Sequence, residues 1–128
     1  MTIGYLSRWE TFSAAHRLHS QHLSPTKNQE IYGKCNYPNG HGHNYKVQVT
    51  LRGKIDPATG MIINLHDLKL IIHQVIDLLD HRNIDKDIDY FAKSGRPSTA
   101  ENIAVFIWLE ISKRLDTILL EAQDSCVE

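Results

Sequence analysis

A thiol and two imidazoles lie close together in the chain, at a spacing that could support metal-assisted chemistry. Cys35 is followed, after a short bend that contains Gly40, by His41 and His43, which open an alternating apolar run. Because residues two apart on an extended strand point to the same face, both imidazoles can be directed at one ion. The bend could fold the thiol back toward that ion. Ligands beside a reactive group favour a metal-assisted enzyme over a structural metal site.

His16 is the best candidate for a third ligand. A catalytic zinc usually takes three protein ligands and leaves one position open. His16 would reach the pair if its strand pairs antiparallel with the strand that begins near His41, whereas His19 and His22 lie in the following loop and are weaker candidates. A His-x-His pair on its own would favour surface or core histidines. The neighbouring glycines and the preceding thiol favour a metal.

Other polar residues have both a chemical and a structural explanation. The residues alone do not decide the role of Cys35. It could be a fourth ligand, a nucleophile, a general acid/base or an inert buried thiol. Asp80 could orient His81 for proton exchange with Cys35, but a histidine at a helix C-terminus also interacts favourably with the helix dipole. Ser98 and Glu101 fit a capping box at the start of a helix, and Ser98 and Thr99 could both serve as its caps. The free N–H groups at this helix start could also hold a polar or anionic group.

Alternation and turn signals predict the strands that must position these residues. Aromatic and small residues alternate loosely over 5–16, and apolar residues alternate clearly over 43–52. A turn signal at 56–60 precedes a short predicted strand at 61–63. Residues 19–40 are polar and contain several prolines and glycines, so they are predicted to form a long loop, which at this length is often functional.

Two helices are predicted after the strands. Asn64 is a predicted N-cap, and apolar residues at helical spacing predict a helix over 65–79. A second apolar stripe from Ala104 to Leu115 follows the capping box, and residues 118–128 could begin a last strand. This order predicts an α+β fold with two helices on one face of an antiparallel sheet. The open edges of so small a sheet predict an oligomer.

Composition excludes several classes of function. With 128 residues the chain is expected to form a single domain, 1–128, with its own core. Its formal charge of −1 gives no basic excess, so nucleic acid is not an expected partner. No apolar run approaches the ~18 residues of a membrane span, and no secretory signal is recognised. Cys35 and Cys126 match no disulfide framework, so we expect a cytoplasmic protein with free thiols.

Several motifs resemble, in order, those of the 6-pyruvoyltetrahydropterin synthase family. The resemblance covers about residues 8–115. The spacing from Cys35 to the His-x-His pair resembles the biopterin branch, because bacterial relatives that make 6-carboxytetrahydropterin usually place their Cys closer. The motifs are Phe12-Ser13-Ala14-Ala15-His16-Arg17-Leu18, the central stretch Gly33 to Val47, Ile55 to Met61, Leu79-Asp80-His81-Arg82-Asn83-Ile84-Asp85 and Ser98-Thr99-Ala100-Glu101-Asn102.

The resemblance implies a zinc enzyme with a defined set of site residues. Zn²⁺ is the implied cofactor, and a Mg²⁺ requirement is left open. Thr99 and Glu101 would lie in a pterin-pocket loop at a subunit boundary, and Glu128 would anchor the pterin ring through a pair of hydrogen bonds. The implied zinc ligands are His16, His41 and His43, the general acid/base is Cys35, and the proton relay is Asp80 with His81.

The implied reaction converts 7,8-dihydroneopterin triphosphate to 6-pyruvoyltetrahydropterin with loss of triphosphate, in tetrahydrobiopterin biosynthesis. It is a carbon–oxygen lyase reaction in which zinc would polarise side-chain oxygens and Cys35 would move the adjacent protons. The implied fold is a tunnelling-fold subunit, whose barrel is completed when it assembles as a hexamer of two stacked trimers.

Two departures from the family pattern leave alternatives open. Ala100 stands where relatives often have a second Thr. The family usually continues with a strand that carries a Glu-Thr pair, whereas the residues before Glu128 match poorly, so Glu128 is the anchor on a shortened strand or the anchor is absent. The alternatives are a 6-carboxytetrahydropterin synthase, a dihydroneopterin aldolase-like enzyme, and a non-catalytic zinc- or pterin-binding oligomer that lacks the final strand.

Overall fold

A long antiparallel hairpin is the frame of the molecule. In this computed structural model, which describes residues 1–121, strand β1 spans Ile3–His16 and strand β2 spans His41–Lys54. Their register pairs Ile3 with Lys54 at one end and His16 with His41 at the other. Both predicted strands are therefore confirmed, with longer bounds than the alternation indicated. The antiparallel pairing on which the choice of His16 depended is also confirmed.

Two long helices cover one face of this hairpin. Helix α2 spans Leu65–Asp77 and begins after Asn64, whose side chain accepts a hydrogen bond from the backbone N–H of His66. Helix α5 spans Ala100–Glu121. The buried core contains Phe12, Ala14, Val49 and Leu51 from the strands, and Leu68, Ile72, Val75, Ile103, Phe106 and Ile107 from the helices. Full burial of one such large aliphatic or aromatic side chain contributes about 1.5–3 kcal/mol. The α+β architecture predicted from the sequence is thus confirmed.

The predicted long loop over 19–40 is wrong, because most of that segment is helical. Helix α1 spans Pro25–Tyr32, and a single 3₁₀ turn covers Gly33–Asn36. Ser24 caps α1 by accepting the N–H of Lys27, and Pro25 occupies the first turn, where its missing N–H costs nothing. The buried Asn28 side chain bonds Ser20 on both backbone groups, at 2.7 and 2.9 Å.

Two smaller expectations also differ from the structure. Among the described residues, 61–63 form no strand; the N–H of Asp56 instead donates to the carbonyl of Met61 and closes a turn. The connection after α2 contains short helices α3, Ile84–Asp87, and α4, Asp89–Ala92. The possible strand from residue 118 is helical through Glu121, and residues 122–128, with Cys126 and Glu128, lie outside the described part. No helix within residues 1–121 is long and apolar enough to cross a membrane.

Candidate metal centre and catalytic residues

Three imidazoles converge at the end of the hairpin. His16 and His41 are opposite each other in the strand register, and His43 follows on the same face of β2. Their ring centroids are 4.7 Å apart for His16 and His41, 5.2 Å for His16 and His43, and 4.6 Å for His41 and His43. One ring nitrogen of each lies within 4.8 Å of the others. The sequence argument brought the correct three histidines together.

The orientation of His16 is set from the start of α5. His16 is 5% exposed, and its Nδ1 lies 2.8 Å from the carbonyl oxygen of Ser98 and 3.2 Å from the Ser98 hydroxyl. A carbonyl only accepts, so Nδ1 carries the proton and Nε2 presents its lone pair toward the other two rings. This is the usual support of a metal-ligating histidine, in which the second ring nitrogen donates to a carbonyl.

The donor set fits a metal ion. Nε2 of His16 and both ring nitrogens of His41 are buried without a hydrogen-bond partner among the described residues. Burial lowers the pKa of His16, which favours the neutral imidazole that a metal requires. Three neutral imidazoles with a fourth position open are typical of catalytic zinc sites. These three residues can therefore hold a metal.

Tyr45 is a residue of this site that the sequence argument treated only as part of an apolar face. Its ring stacks on Phe12 at 4.9 Å and meets His43 edge-on at 5.6 Å. The hydroxyl is buried without a partner among the described residues. Burial, with a smaller contribution from Asp85, raises the pKa of Tyr45 to about 12, so the hydroxyl keeps its proton.

Cys35 is held close to the end of β1 but is not a member of the nitrogen cluster. It lies in the 3₁₀ turn, where its carbonyl accepts the N–H of Leu18 at 2.9 Å. Asn36 extends this attachment, since its Nδ2 donates to the Leu18 carbonyl at 2.7 Å and its carbonyl accepts from Arg17 Nε at 2.8 Å. The thiol is partly buried and is not part of a disulfide. The turn thus returns the backbone of Cys35 to the segment that follows His16, and the expected approach of the thiol to the histidines stays a prediction.

Asp80 and His81 form an ordered pair along the edge of β1 opposite β2. The two Asp80 oxygens accept from the Ser13 N–H at 2.9 Å and contact His81 Nδ1 at 2.9 Å. The Ser13 N–H, and next the His81 ring, lower the pKa of Asp80. His81 adopts a left-handed backbone with φ 59°, and its N–H donates to the Ser13 carbonyl at 2.6 Å.

The imidazole of His81 points into open space beside the metal cluster. Its side chain is 83% exposed. An open groove of about 490 Å³ is lined by His81, Arg82, Ser13, Asn44 and His43. Within residues 1–121 no hydrogen bond or ion pair joins Cys35 to Asp80 or His81. The structure therefore pairs Asp80 with His81, and their exchange of protons with the thiol stays a prediction.

The start of α5 differs from the predicted capping box. Thr99 is the cap, because its hydroxyl accepts the N–H of Asn102 at 3.2 Å and helix α5 begins at Ala100. Ser98 is instead fully buried against His16, and Glu101 is exposed in the first helical turn. Of the two residues predicted to cap the helix, Thr99 is confirmed and Ser98 is not, since Ser98 contacts His16 instead.

Together these features define a class of protein: an α+β subunit in which a β-hairpin gathers three histidines into a metal-binding cluster beside a thiol and an Asp–His pair. The family model of 6-pyruvoyl tetrahydropterin synthase matches residues 5–127. The chain belongs to the 6-pyruvoyl tetrahydropterin synthase family.

Individual relatives agree with this assignment. The chain is 59% identical over 118 residues to 6-pyruvoyl tetrahydrobiopterin synthase of Poecilia reticulata, covering 91% of this chain and 79% of the relative. It is 55% identical over 111 residues to the Homo sapiens protein of that name, covering 86% and 75%. The solved structure of Caenorhabditis elegans 6-pyruvoyl tetrahydropterin synthase has a TM-score of 0.82 and 47% identity, covering 88% of this chain and 79% of that one. The fold is thus the tunnelling-fold subunit that the motifs indicated.

Proposed function

We propose that this chain converts 7,8-dihydroneopterin triphosphate to 6-pyruvoyltetrahydropterin with release of triphosphate, as a carbon–oxygen lyase. The observation that carries the proposal is the cluster of His16, His41 and His43, in which the buried His16 is oriented by Ser98, in a chain 55% identical to a human synthase. Two similar proteins, from Poecilia reticulata and Homo sapiens, are named 6-pyruvoyl tetrahydrobiopterin synthase, which supports the same reaction.

Zinc is the ion that we propose for the cluster. Nitrogen donors from three imidazoles suit Zn²⁺, whereas Mg²⁺ prefers oxygen ligands, so a Mg²⁺ requirement finds no support in this donor set. When bound, zinc would act as a Lewis acid on oxygens of the substrate side chain and make neighbouring C–H groups more acidic. His16, with Nδ1 committed to Ser98, presents Nε2 as its ligand atom.

Cys35 is the residue that we propose to move protons on the substrate carbons. Its turn is attached to Leu18 and Arg17, directly after the ligand His16, which keeps the thiol near the cluster without making it a ligand. We assign the pterin contacts to Thr99 and Glu101, at the start of the helix that also orients His16. Glu128 lies outside the described residues, and its role as pterin anchor stays a prediction.

The proton relay of Asp80 and His81 is proposed to be completed by a second copy of the chain. Asp80 is fixed by Ser13 and in turn orients His81 Nδ1, yet the His81 ring is exposed. A general base must reach hydrogen-bond distance of the proton that it exchanges. A neighbouring subunit that presents its own Cys35 beside the groove would meet this requirement. We accordingly propose a homohexamer of two trimers, acting in the cytoplasm.

The decisive experiment incubates the full chain with zinc and 7,8-dihydroneopterin triphosphate and identifies the products. Release of triphosphate together with 6-pyruvoyltetrahydropterin is the expected result. Formation of 6-carboxytetrahydropterin, or of an aldolase product, would replace the proposed reaction by one of the related activities. Binding of the pterin without any turnover would instead indicate a non-catalytic binding protein.

A further inference from the structure

The open groove beside the Asp80–His81 pair contains an amide that the proposed function does not use. The groove has a volume of about 490 Å³, within the range of about 300–1,000 Å³ that is typical of small-molecule sites. Asn44 lines it together with Ser13 and His81, and the Asn44 side chain is exposed. Part of a substrate that enters the groove can therefore reach this amide.

Ser13 fixes which end of the Asn44 amide is available to a ligand. The Ser13 hydroxyl donates to Asn44 Oδ1 at 2.7 Å, between two residues that are directly opposite in the strand register. Because Oδ1 accepts this bond, Nδ2 is the end that stays available, and no hydrogen bond of Nδ2 is found within residues 1–121. An amide nitrogen carries two N–H donors. The side chain thus offers donors to a ligand in the groove.

Ser13 also holds the Asp80–His81 pair through its backbone. Its N–H donates to Asp80 at 2.9 Å, and its carbonyl accepts the N–H of His81 at 2.6 Å. One strand residue therefore holds the proposed relay with its backbone and the Asn44 amide with its side chain. Since His81 and Asn44 line the same groove, Ser13 sets both of these groups around one space.

A second cross-strand pair on the same face of the hairpin provides a comparison. Ser7 Oγ and Thr50 Oγ1 lie 2.9 Å apart, and these residues are also exposed and directly opposite in the register. Ser7 lies six residues before Ser13, about 20 Å away along an extended strand, and it does not line the groove. Both pairs can stabilise the sheet, but only the pair of Ser13 and Asn44 is placed to meet a ligand in the groove.

We propose that Asn44 is a further catalytic residue, whose Nδ2 donates to an oxygen of the substrate side chain, and that Ser13 positions it. The assignment rests on the proposed function, in which side-chain hydroxyl groups become carbonyl groups. Once one carbonyl has formed, loss of the neighbouring C–H proton moves the electron pair of that bond toward the carbonyl oxygen. The proton goes to the proposed acid/base groups, and an N–H donor fixed at the oxygen stabilises the negative charge that grows there.

The side of the hairpin on which Asn44 lies indicates which copy of the chain holds that substrate. Consecutive strand residues point to opposite faces, so the Asn44 amide and the His43 ring lie on opposite sides of β2. Asn44 therefore belongs with His81 to the half of the proposed site that faces a second copy. It acts on a substrate held at the metal cluster of that copy.

Two substitutions of Asn44 separate a donor from a structural partner. Asn44→Ala and Asn44→Asp both remove Nδ2, but the second keeps an oxygen that can accept from the Ser13 hydroxyl. We expect kcat to fall by about 10²-fold in both, as for loss of one donor to a developing oxyanion. Affinity for 7,8-dihydroneopterin triphosphate should fall only about threefold in Asn44→Ala, as for loss of one neutral hydrogen bond.

Ser13→Ala tests the positioning role, and Ser7→Ala is its matched control. Ser13→Ala keeps both backbone bonds to the relay and frees the Asn44 amide, so kcat should fall by about three- to tenfold. Ser7→Ala also removes one hydroxyl from a cross-strand pair and should leave kcat unchanged.

Steady-state kinetics and calorimetry with zinc-loaded protein measure these effects. Wild-type kcat in Asn44→Asp would overturn the assignment, because an acceptor for Ser13 would then be sufficient. A raised KM with unchanged kcat would also overturn it, as would equal losses in Ser13→Ala and Ser7→Ala. A wild type that binds the pterin without turnover would refute the proposed function, and binding would then decide the contact. Weaker binding in Asn44→Ala but not in Ser7→Ala would retain it, and equal binding would overturn it.

Discussion

The metal cluster and the Asp80–His81 pair are two parts of one proposed site. A single chain brings all three histidines of the cluster together, but it leaves the ring of His81 exposed. At the cluster, the strand register directs three imidazoles at a common point, and the Ser98 carbonyl fixes the buried His16 ring. At the pair, Asp80 is equally well fixed by Ser13, but the His81 ring that it orients is open to solvent. If a second copy completes the proposed relay, turnover would require assembly, whereas metal binding would not.

His41→Ala gives the largest expected effect, because it removes one of the three imidazoles of the metal cluster. Loss of a residue that only supports a ligand typically costs 10–100-fold in metal affinity, so loss of a ligand should cost at least about 100-fold and abolish turnover. Zinc content by mass spectrometry and affinity by chelator competition measure this. His22→Ala is the matched control, since His22 is exposed and is not in the cluster. Unchanged zinc affinity in His41→Ala would remove the metal assignment.

Cys35→Ala should separate chemistry from metal binding. Because the thiol is outside the nitrogen cluster, zinc and pterin binding should be retained. Turnover should fall by about 10²–10⁴-fold, the usual contribution of a general acid/base. Steady-state kinetics with zinc-loaded protein provide the measurement. A fully active Cys35→Ala protein would exclude the thiol from proton transfer.

Mixing two inactive variants tests whether the second part is completed by another copy. Cys35→Ala and His81→Ala are each expected to be inactive alone. If the relay of one subunit serves the thiol of its neighbour, random mixed oligomers should regain about a quarter of wild-type activity, because one site in four pairs two intact residues. The assay requires dissociation and reassembly of the mixture. Recovery at the level of the separate variants would mean that thiol and relay act within one chain.

The same contrast shows how far the sequence could predict this molecule. The histidine cluster could be predicted because strand alternation and antiparallel pairing are local regularities that fix side-chain direction. Helix α1 was missed because Pro25 was counted as a loop signal, although a serine followed by proline is also a helix start. The tertiary contact of Ser98 with His16 has no local signal, so the capping motif was the only pattern visible there. The hydrogen bonds of Ser13 with Asp80 and His81 depend on packing between distant segments, which motif order does not contain.

Ser98→Ala should have the smallest effect, and its size tests how the cluster is held. The shorter contact of His16 Nδ1 is to the Ser98 carbonyl at 2.8 Å, which the substitution keeps, whereas the hydroxyl lies at 3.2 Å. We therefore expect zinc affinity to fall by less than about tenfold, below the usual range for loss of a supporting partner. Chelator competition on Ser98→Ala, beside Ser94→Ala as an exposed control, measures the change. A loss as large as that of His41→Ala would mean that the hydroxyl, and not the backbone at the start of α5, sets the His16 ring.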